Sequence, residues 1–174
     1  MSEPVLTPIS YEQFLADVAA LAAAVRADAN WAPEFIVGIG RGGLVPCTYL
    51  SHATGFTMLS IDGSSGVAPF AEHLIADLAT RSRAGDRLLF IDDINDTGGT
   101  LERIRAMLAA AGAVDGAIRF GVLIDNIQSK VRVDYRARTI DRTVTKDWFV
   151  FPWEAVAPTA TIVHDAAVVP ERTA

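Results

Sequence analysis

Apolar residues recur in two periods along this chain, and the switching between them sets the expected architecture. Phe14, Val18, Leu21 and Val25 return at three- and four-residue spacing, which predicts an amphipathic helix lying on a sheet. Ser10-Tyr11-Glu12-Gln13 before it has the form of a capping box, with Ser10 at the cap and Gln13 reaching back. Ile9 and Phe14 sit where a hydrophobic staple places them. Phe35–Ile39, residues 56–61 and residues 88–91 are short continuous apolar runs, the pattern of strands buried on both faces. Leu101, Ile104 and Leu108 share one face of a further helix, and residues 117–125 form another strand with Phe120, Val122 and Ile124 alternating.

Less regular stretches separate these elements. Trp31 falls in a connection and reads as a packing residue. Gly63-Ser64-Ser65-Gly66 reads as flexible, and residues 71–83 fit either a helix or a strand with a loop. Strand-like alternation surrounds Val131, Val133 and Tyr135. The order of elements predicts an α/β fold: a mostly parallel twisted sheet with helices on both faces, and a ligand site at the carboxyl edge of the strands. With no linker or repeat, residues 1–174 read as one domain. Residues 126–154 would form a small C-terminal hood and residues 155–174 a tail.

Chemistry concentrates where the strand of residues 88–91 meets Asp92 and Asp93. An unpaired buried carboxylate is costly, so the strand is expected to end there, at a solvent-facing edge. Asp96 follows, then Thr97-Gly98-Gly99-Thr100 opens a helix. Glycine turns bring amides close to a ligand and the helix start adds its positive dipole end, so this turn suits a phosphate monoester. Asp92 and Asp93 suit the vicinal hydroxyls of a sugar, because ionised oxygens accept strong hydrogen bonds.

A second constellation, Gly40-Arg41-Gly42-Gly43, ends the strand of Phe35–Ile39. It is either an ordinary solvated turn or a set of amides beside a permanent cation, fit for a diphosphate. A third is the aromatic run Trp148-Phe149-Val150-Phe151-Pro152-Trp153, which either plugs a core or presents a flat face to a base.

Net charge is −6, so no general field attracts nucleic acid. Arg132, Arg136, Arg138 and Arg142 read as a solvated charged face, with a local RNA-binding patch as the rival reading. An anionic substrate beside Asp92, Asp93 and Asp96 calls for a divalent cation. Mg2+ is expected, held mainly by substrate oxygens and water. No 18-residue apolar stretch or signal-like N-terminus is present, and Cys47 is the lone cysteine. A cytoplasmic protein without membrane contact is therefore expected. Cys47 reads as a packing residue, and His73 and His164 as surface histidines.

The segment from the apolar strand through Asp-Asp, two residues and Asp-Thr-Gly-Gly-Thr closely resembles the 5-phosphoribosyl-1-diphosphate (PRPP) signature of type I phosphoribosyltransferases. Gly40-Arg41-Gly42-Gly43-Leu44-Val45-Pro46 resembles the diphosphate loop of the xanthine-guanine and hypoxanthine branch, and the Trp148 segment its purine-binding hood. The resemblance implies a purine phosphoribosyltransferase using PRPP, a 6-oxopurine base and Mg2+, and a homodimer or tetramer. Asp92 and Asp93 would bind ribose, Asp93 being the nearer to Mg2+. Residues Thr97, Gly98, Gly99 and Thr100 would hold the 5-phosphate, and Gly40, Arg41, Gly42 and Gly43 the diphosphate.

The same resemblance implies that Asp96 handles the proton at purine N7, that Trp148 stacks on the base, and that the Phe149 backbone meets its edge. It further implies a cis peptide at Arg41-Gly42 and a mobile lid over residues 62–86, while Pro46 by its own chemistry reads as lying in the first turn of the next helix, where a missing N–H does no harm. The family's base-binding lysine directly follows a strand, where this chain has Asp125-Asn126; the nearest lysine is Lys130. The alternatives are a PRPP- or nucleotide-sensing regulator on the same fold, or transfer to another acceptor.

Overall fold

The computed structural model describes residues 4–62 and 68–167. Its elements run β1 (Leu6–Pro8), α1 (Tyr11–Ala27), β2 (Phe35–Ile39), α2 (Gly40–Thr54), β3 (Thr57–Ile61), α3 (Ala68–Arg83), β4 (Leu88–Asn95) and α4 (Gly99–Ala110). After a short 3-10 turn come β5 (Ile118–Asn126), β6 (Tyr135–Ile140), β7 (Trp148–Val150) and α5 (Thr159–Ala167). Five strands form a parallel sheet in the order β3-β2-β4-β5-β6, while β1 pairs with β7 in a separate two-stranded sheet.

Alternation along the central strand divides the core. Leu89 and Ile91 of β4 face α1 and α2, packing with Phe14, Leu21, Cys47 and Leu50. Leu88 and Phe90 point the other way, toward Leu78 of α3 and Leu101, Ile104 and Leu108 of α4. Phe90 stacks on Phe120 with ring centroids 5.4 Å apart. A residue with side-chain neighbours on both faces of its strand leaves no face for water, and this is why the β4 sequence is an unbroken apolar run. Trp31 closes one end of the core, its indole N–H donating to the Gly116 carbonyl at 3.2 Å.

Chain order and strand order part company between β2 and β4. The chain leaves β2 toward β3 on one side, then crosses back to place β4 on the other. Helix α2 covers one face and α4 the other, so the connections after β2 and β4 diverge and open a crevice between them. Open parallel sheets take ligands at such a switch point.

Several expectations change. Ser10 does cap α1, accepting from the Gln13 amide at 3.1 Å, but the Gln13 side chain donates to Asp17 at 2.8 Å instead of reaching back. Residues 40–43 are the first turn of α2, not a loop before it, so Pro46 lies in the second turn. No cis peptide occurs among the described residues, and Arg41-Gly42 is trans because these residues are wound into helix. β6 begins at Tyr135, leaving Val131 and Val133 in the connection before it, where both pack against the α4 side. α3 resolves the ambiguity over residues 71–83 in favour of helix. Helix α5 occupies much of the expected tail. Strand β1 answers to no pattern in the sequence, being only three residues long. The Gly63–Gly66 part of the expected lid lies outside the described residues. Among the described residues, no helix is long and apolar enough to cross a membrane.

The seat of α2 on β4 generates a prediction. A Cβ added at Gly43 would stand 2.1 Å from the Ile91 carbonyl oxygen, whereas one added at Gly116 meets nothing within 4 Å. Gly43→Ala is expected to lower unfolding free energy in urea by about 1–3 kcal/mol or more, since strand backbone cannot yield as a side-chain tip does. Gly116→Ala should stay within about 0.5 kcal/mol of the parent.

Candidate active site

The site is assembled from the carboxyl ends of β4 and β2. β4 does not stop at Asp92, contrary to expectation; pairing with β5 continues through Asp92↔Val122, Ile94↔Ile124 and Asn95↔Asp125. Polar side chains make this extension possible. The Asn95 amide donates to Asp125 and to the Val131 carbonyl, each at 2.8 Å, and Ser129 donates back to Asn95 at 2.9 Å. Asp92 is buried and accepts from the Asp93 amide at 3.0 Å. Burial, and then the charge of Asp93 beside it, push the Asp92 carboxyl well above its ordinary range.

Beyond Asp96 the chain turns into α4 through Gly98, whose φ of 90° belongs to the left-handed region that favours glycine. A Cβ there would also stand 2.9 Å from Ser129 Oγ, so the turn is fixed against the β5–β6 connection. Gly98 at the N-cap has no side chain to offer this helix, though the Thr97 hydroxyl accepts from the Gly99 amide at 3.4 Å. The first-turn amides of Gly99, Thr100 and Leu101 have no partner within the helix, and with its dipole end they suit an anion.

Across the crevice, the first turn of α2 leans on the acids. A Cβ at Gly42 would lie 2.6 Å from Asp93 Oδ2. The two glycine-rich turns, starting at Gly40 and at Thr97, thereby meet at a single cavity at the switch point. The cavity holds about 810 Å3. Asp92, Asp93, Asp96, Thr97, Gly98, Gly99 and Thr100 line one side, and Gly40, Arg41 and Gly42 another. Trp148 and Phe149 of β7 close it from the hood, and Phe151 and Trp153, stacked at 4.7 Å, line it as well.

Two expected residues stand apart from this lining. Gly43 is buried against the Ile91 backbone, where it serves the close packing of α2 on β4. Lys130 is exposed and does not line the cavity, although its amide reaches the Thr97 carbonyl at 3.5 Å. The family's lysine position is occupied by groups that support the loop. The Asn126 side-chain amide donates to the Asp96 carbonyl at 2.9 Å, and Asp125 holds Asn95.

Sequence reasoning missed Arg142. Grouped with a solvated face, it is instead 6% exposed and forks onto Asp96, with Nη2 2.8 Å from Oδ2 and Nε 3.0 Å from Oδ1. Its neighbours in that group are also engaged. Arg138 pairs with Asp17 at 3.1 Å, Arg136 approaches Asp125 at 3.8 Å, and Arg132 donates to the Ile127 carbonyl. These contacts leave no continuous basic patch of the four. The signal for Arg142 in the sequence was at best its place just before the aromatic run. Thr161, Ile162 and Asp165 of α5 also line the cavity, from a stretch that had been read as tail.

Residues 10–157 match the phosphoribosyl transferase domain family. The chain is 28% identical over 152 residues to a xanthine-guanine phosphoribosyltransferase of Nitratidesulfovibrio vulgaris, covering 85% of this chain and 84% of that protein. The purine phosphoribosyltransferase structure from Pyrococcus horikoshii Ot3 superposes with a TM-score of 0.61 at 25% identity, covering 86% of this chain and 94% of the other. The Helicobacter pylori xanthine-guanine-hypoxanthine phosphoribosyltransferase gives 0.63 at 21% identity, covering 90% and 98%. Two acids, a glycine turn at a helix start and a second glycine turn at the switch point are what the sequence likeness had implied, and the family match spans them all: the chain belongs to the phosphoribosyl transferase domain family.

Proposed function

We propose that the protein is a purine phosphoribosyltransferase, moving the 5-phosphoribosyl group of PRPP onto a 6-oxopurine to give a nucleoside 5′-monophosphate and diphosphate. The observation that carries this reading is the convergence of three walls on one cavity: the acids with the α4 turn, Arg41 with the α2 turn, and the Trp148-Phe149 face. The names of these relatives, a xanthine-guanine and a purine phosphoribosyltransferase among them, support the choice of base.

In this reading the residues divide the substrate between them. The amides and hydroxyls of residues 97–100 hold the 5-phosphate, and Asp92 and Asp93 accept from the ribose hydroxyls. Breaking the C1–O bond sends the electron pair to the departing diphosphate, which Arg41 and the amides of the α2 turn receive. The base nitrogen forms the new bond to C1 while Trp148 stacks on the ring, and Asp96 handles the proton at purine N7. The same proposal takes one domain, a cytoplasmic setting and a dimer or tetramer, with exposed Tyr11 and Leu15 of α1 supplying apolar surface for self-association.

A hard divalent cation of the Mg2+ type fits the donors present. Asp92 and Asp93 crowd two carboxylates together, while among the described residues no three such groups form a full metal cage. Such a donor set suits an ion bound mainly by substrate oxygens and water, with Asp93 as the protein contact. When bound, the cation supplies positive charge against the diphosphate.

Incubation with PRPP, Mg2+ and guanine, xanthine or hypoxanthine in turn should yield the corresponding nucleotide. Measurable PRPP binding with turnover of none of the three would reject the purine reading. Trp148→Ala should raise KM for the base by about 10-fold or more, from the loss of roughly 1–3 kcal/mol of stacking, with KM for PRPP little changed.

Asp92 yields a stability test. Its raised carboxyl keeps a proton in the folded state that the unfolded chain has lost, so stability falls as pH climbs from the ordinary value of 3.8 through the raised one. Asp92→Asn is therefore expected to melt above the parent at neutral pH, with the gap closing as pH drops below the ordinary value. A melting difference independent of pH would contradict this account of Asp92.

A further inference from the structure

Arg142 stands between three parts of the site. Its guanidinium forks onto Asp96, on the connection after β4, with three hydrogen bonds of 2.8–3.1 Å. Nη1 donates to the carbonyls of Thr145 at 3.0 Å and Asp147 at 2.7 Å, the two residues flanking the approach to β7. The cation also lies 5.2 Å from the centroid of the Phe149 ring, in the hood strand. Its backbone amide donates to the Asn126 side chain at 3.2 Å, and Asn126 in turn holds the Asp96 carbonyl. Arg142 and Asp96 both line the cavity.

We propose that Arg142 is the positioning residue of the transfer step: by forking Asp96 while gripping the hood, it fixes the proton-handling carboxylate relative to the face on which the base stacks. This rests on the phosphoribosyltransferase reading above and adds to it a residue on the hood side of the site. The chemistry favours arginine here. A planar guanidinium has five N–H donors in fixed directions and serves a carboxylate and two carbonyls at once, whereas a lysine ammonium is a single flexible point of charge. A buried pair of this kind is weak evidence of stability and suits a device that sets geometry. The hood strands are short, and this grip ties the approach to β7 to the β4 connection.

The proposal separates from a purely structural role by which kinetic constants move. R142K, D96N and the R142K/D96N double variant are prepared in the full chain. For each, kcat and KM for PRPP and for a 6-oxopurine are measured, with thermal melting and calorimetric PRPP binding. R142K is expected to bind PRPP within about three-fold of the parent and to lose kcat by about 100-fold, the scale of a misplaced proton-transfer group. D96N should lose a similar factor and the double variant no more than the larger single loss, as expected of residues that act as a unit. An R142A variant should regain part of its kcat on addition of guanidinium ion at non-denaturing concentration.

Independent multiplication of the two losses, retention of kcat within about three-fold in R142K, or loss of PRPP binding in step with kcat would each overturn the positioning role. Should R142K not melt cooperatively, R142Q takes its place. Failure of both to fold overturns the proposal in favour of a structural ion pair. Turnover of no base by the parent protein would instead reject the transferase reading. The positioning claim would then be judged by quenching of tryptophan fluorescence with GMP, and equal quenching in R142K and parent would overturn it.

Discussion

The carboxyl edge of this sheet depends on how closely one helix start lies on one strand. The first turn of α2 rests closely on β4, with Gly43 directly over the Ile91 carbonyl and Gly42 over the Asp93 carboxylate. Any larger residue would lift the turn away from the strand, and Arg41 with it. Parallel pairing of β2 with β4, ending at Gly38↔Ile91, brings the start of α2 beside Asp92 and Asp93, and the divergence of α2 and α4 to opposite faces keeps the space above them open. The cavity is therefore a consequence of topology, and the two glycines give it its depth.

Packing of this kind sets up an electrostatic conflict that the apolar strand cannot resolve by itself. Asp92 is carried into the sheet by continued pairing with β5 and sits beside Asp93, so one of the two is held against its charged form. A site with two crowded acids at the rim of an acidic protein is ill suited to an anion alone and well suited to an anion that arrives with a cation. The same crowding that destabilises the free fold thus favours the loaded state.

Much of this was legible because periodicity survives in long, fully packed elements. The positions Leu101, Ile104 and Leu108 are the buried face of α4, and Phe35–Ile39 is β2 with both its expected bounds. The glycine turns were legible because their chemistry is local. What escaped were features decided by distant partners. β4 outran its apolar run because Asn95 found Asp125 and Val131 across the sheet, and no pattern within residues 88–95 records them. β1 is three residues long and exists by pairing with β7 from the far end of the chain. Arg142 looked like solvated charge because its partner lies 46 positions earlier in sequence. Hydrophobic pattern speaks for burial of apolar groups and is silent on buried ion pairs.

The distribution of arginines explains how an acidic chain can receive an anionic substrate. Arg138, Arg142, Arg119 and Arg87 each neutralise a carboxylate of the chain's own, at Asp17, Asp96, Asp28 and Glu34. Those cations are committed to shape. Arg41 enters none of the ion pairs among the described residues, and it lines the cavity at the start of α2. In the proposed reading, attraction for a phosphorylated ligand comes from Arg41, from helix-start amides and from a bound cation, all within the crevice. Each acts over a few ångströms, inside the screening length of about 8 Å at physiological salt. Selectivity for an anion can in this way be built on a protein whose overall field repels it, provided the donors are fixed in place before the ligand arrives, which is the service that the close seat of α2 on β4 performs.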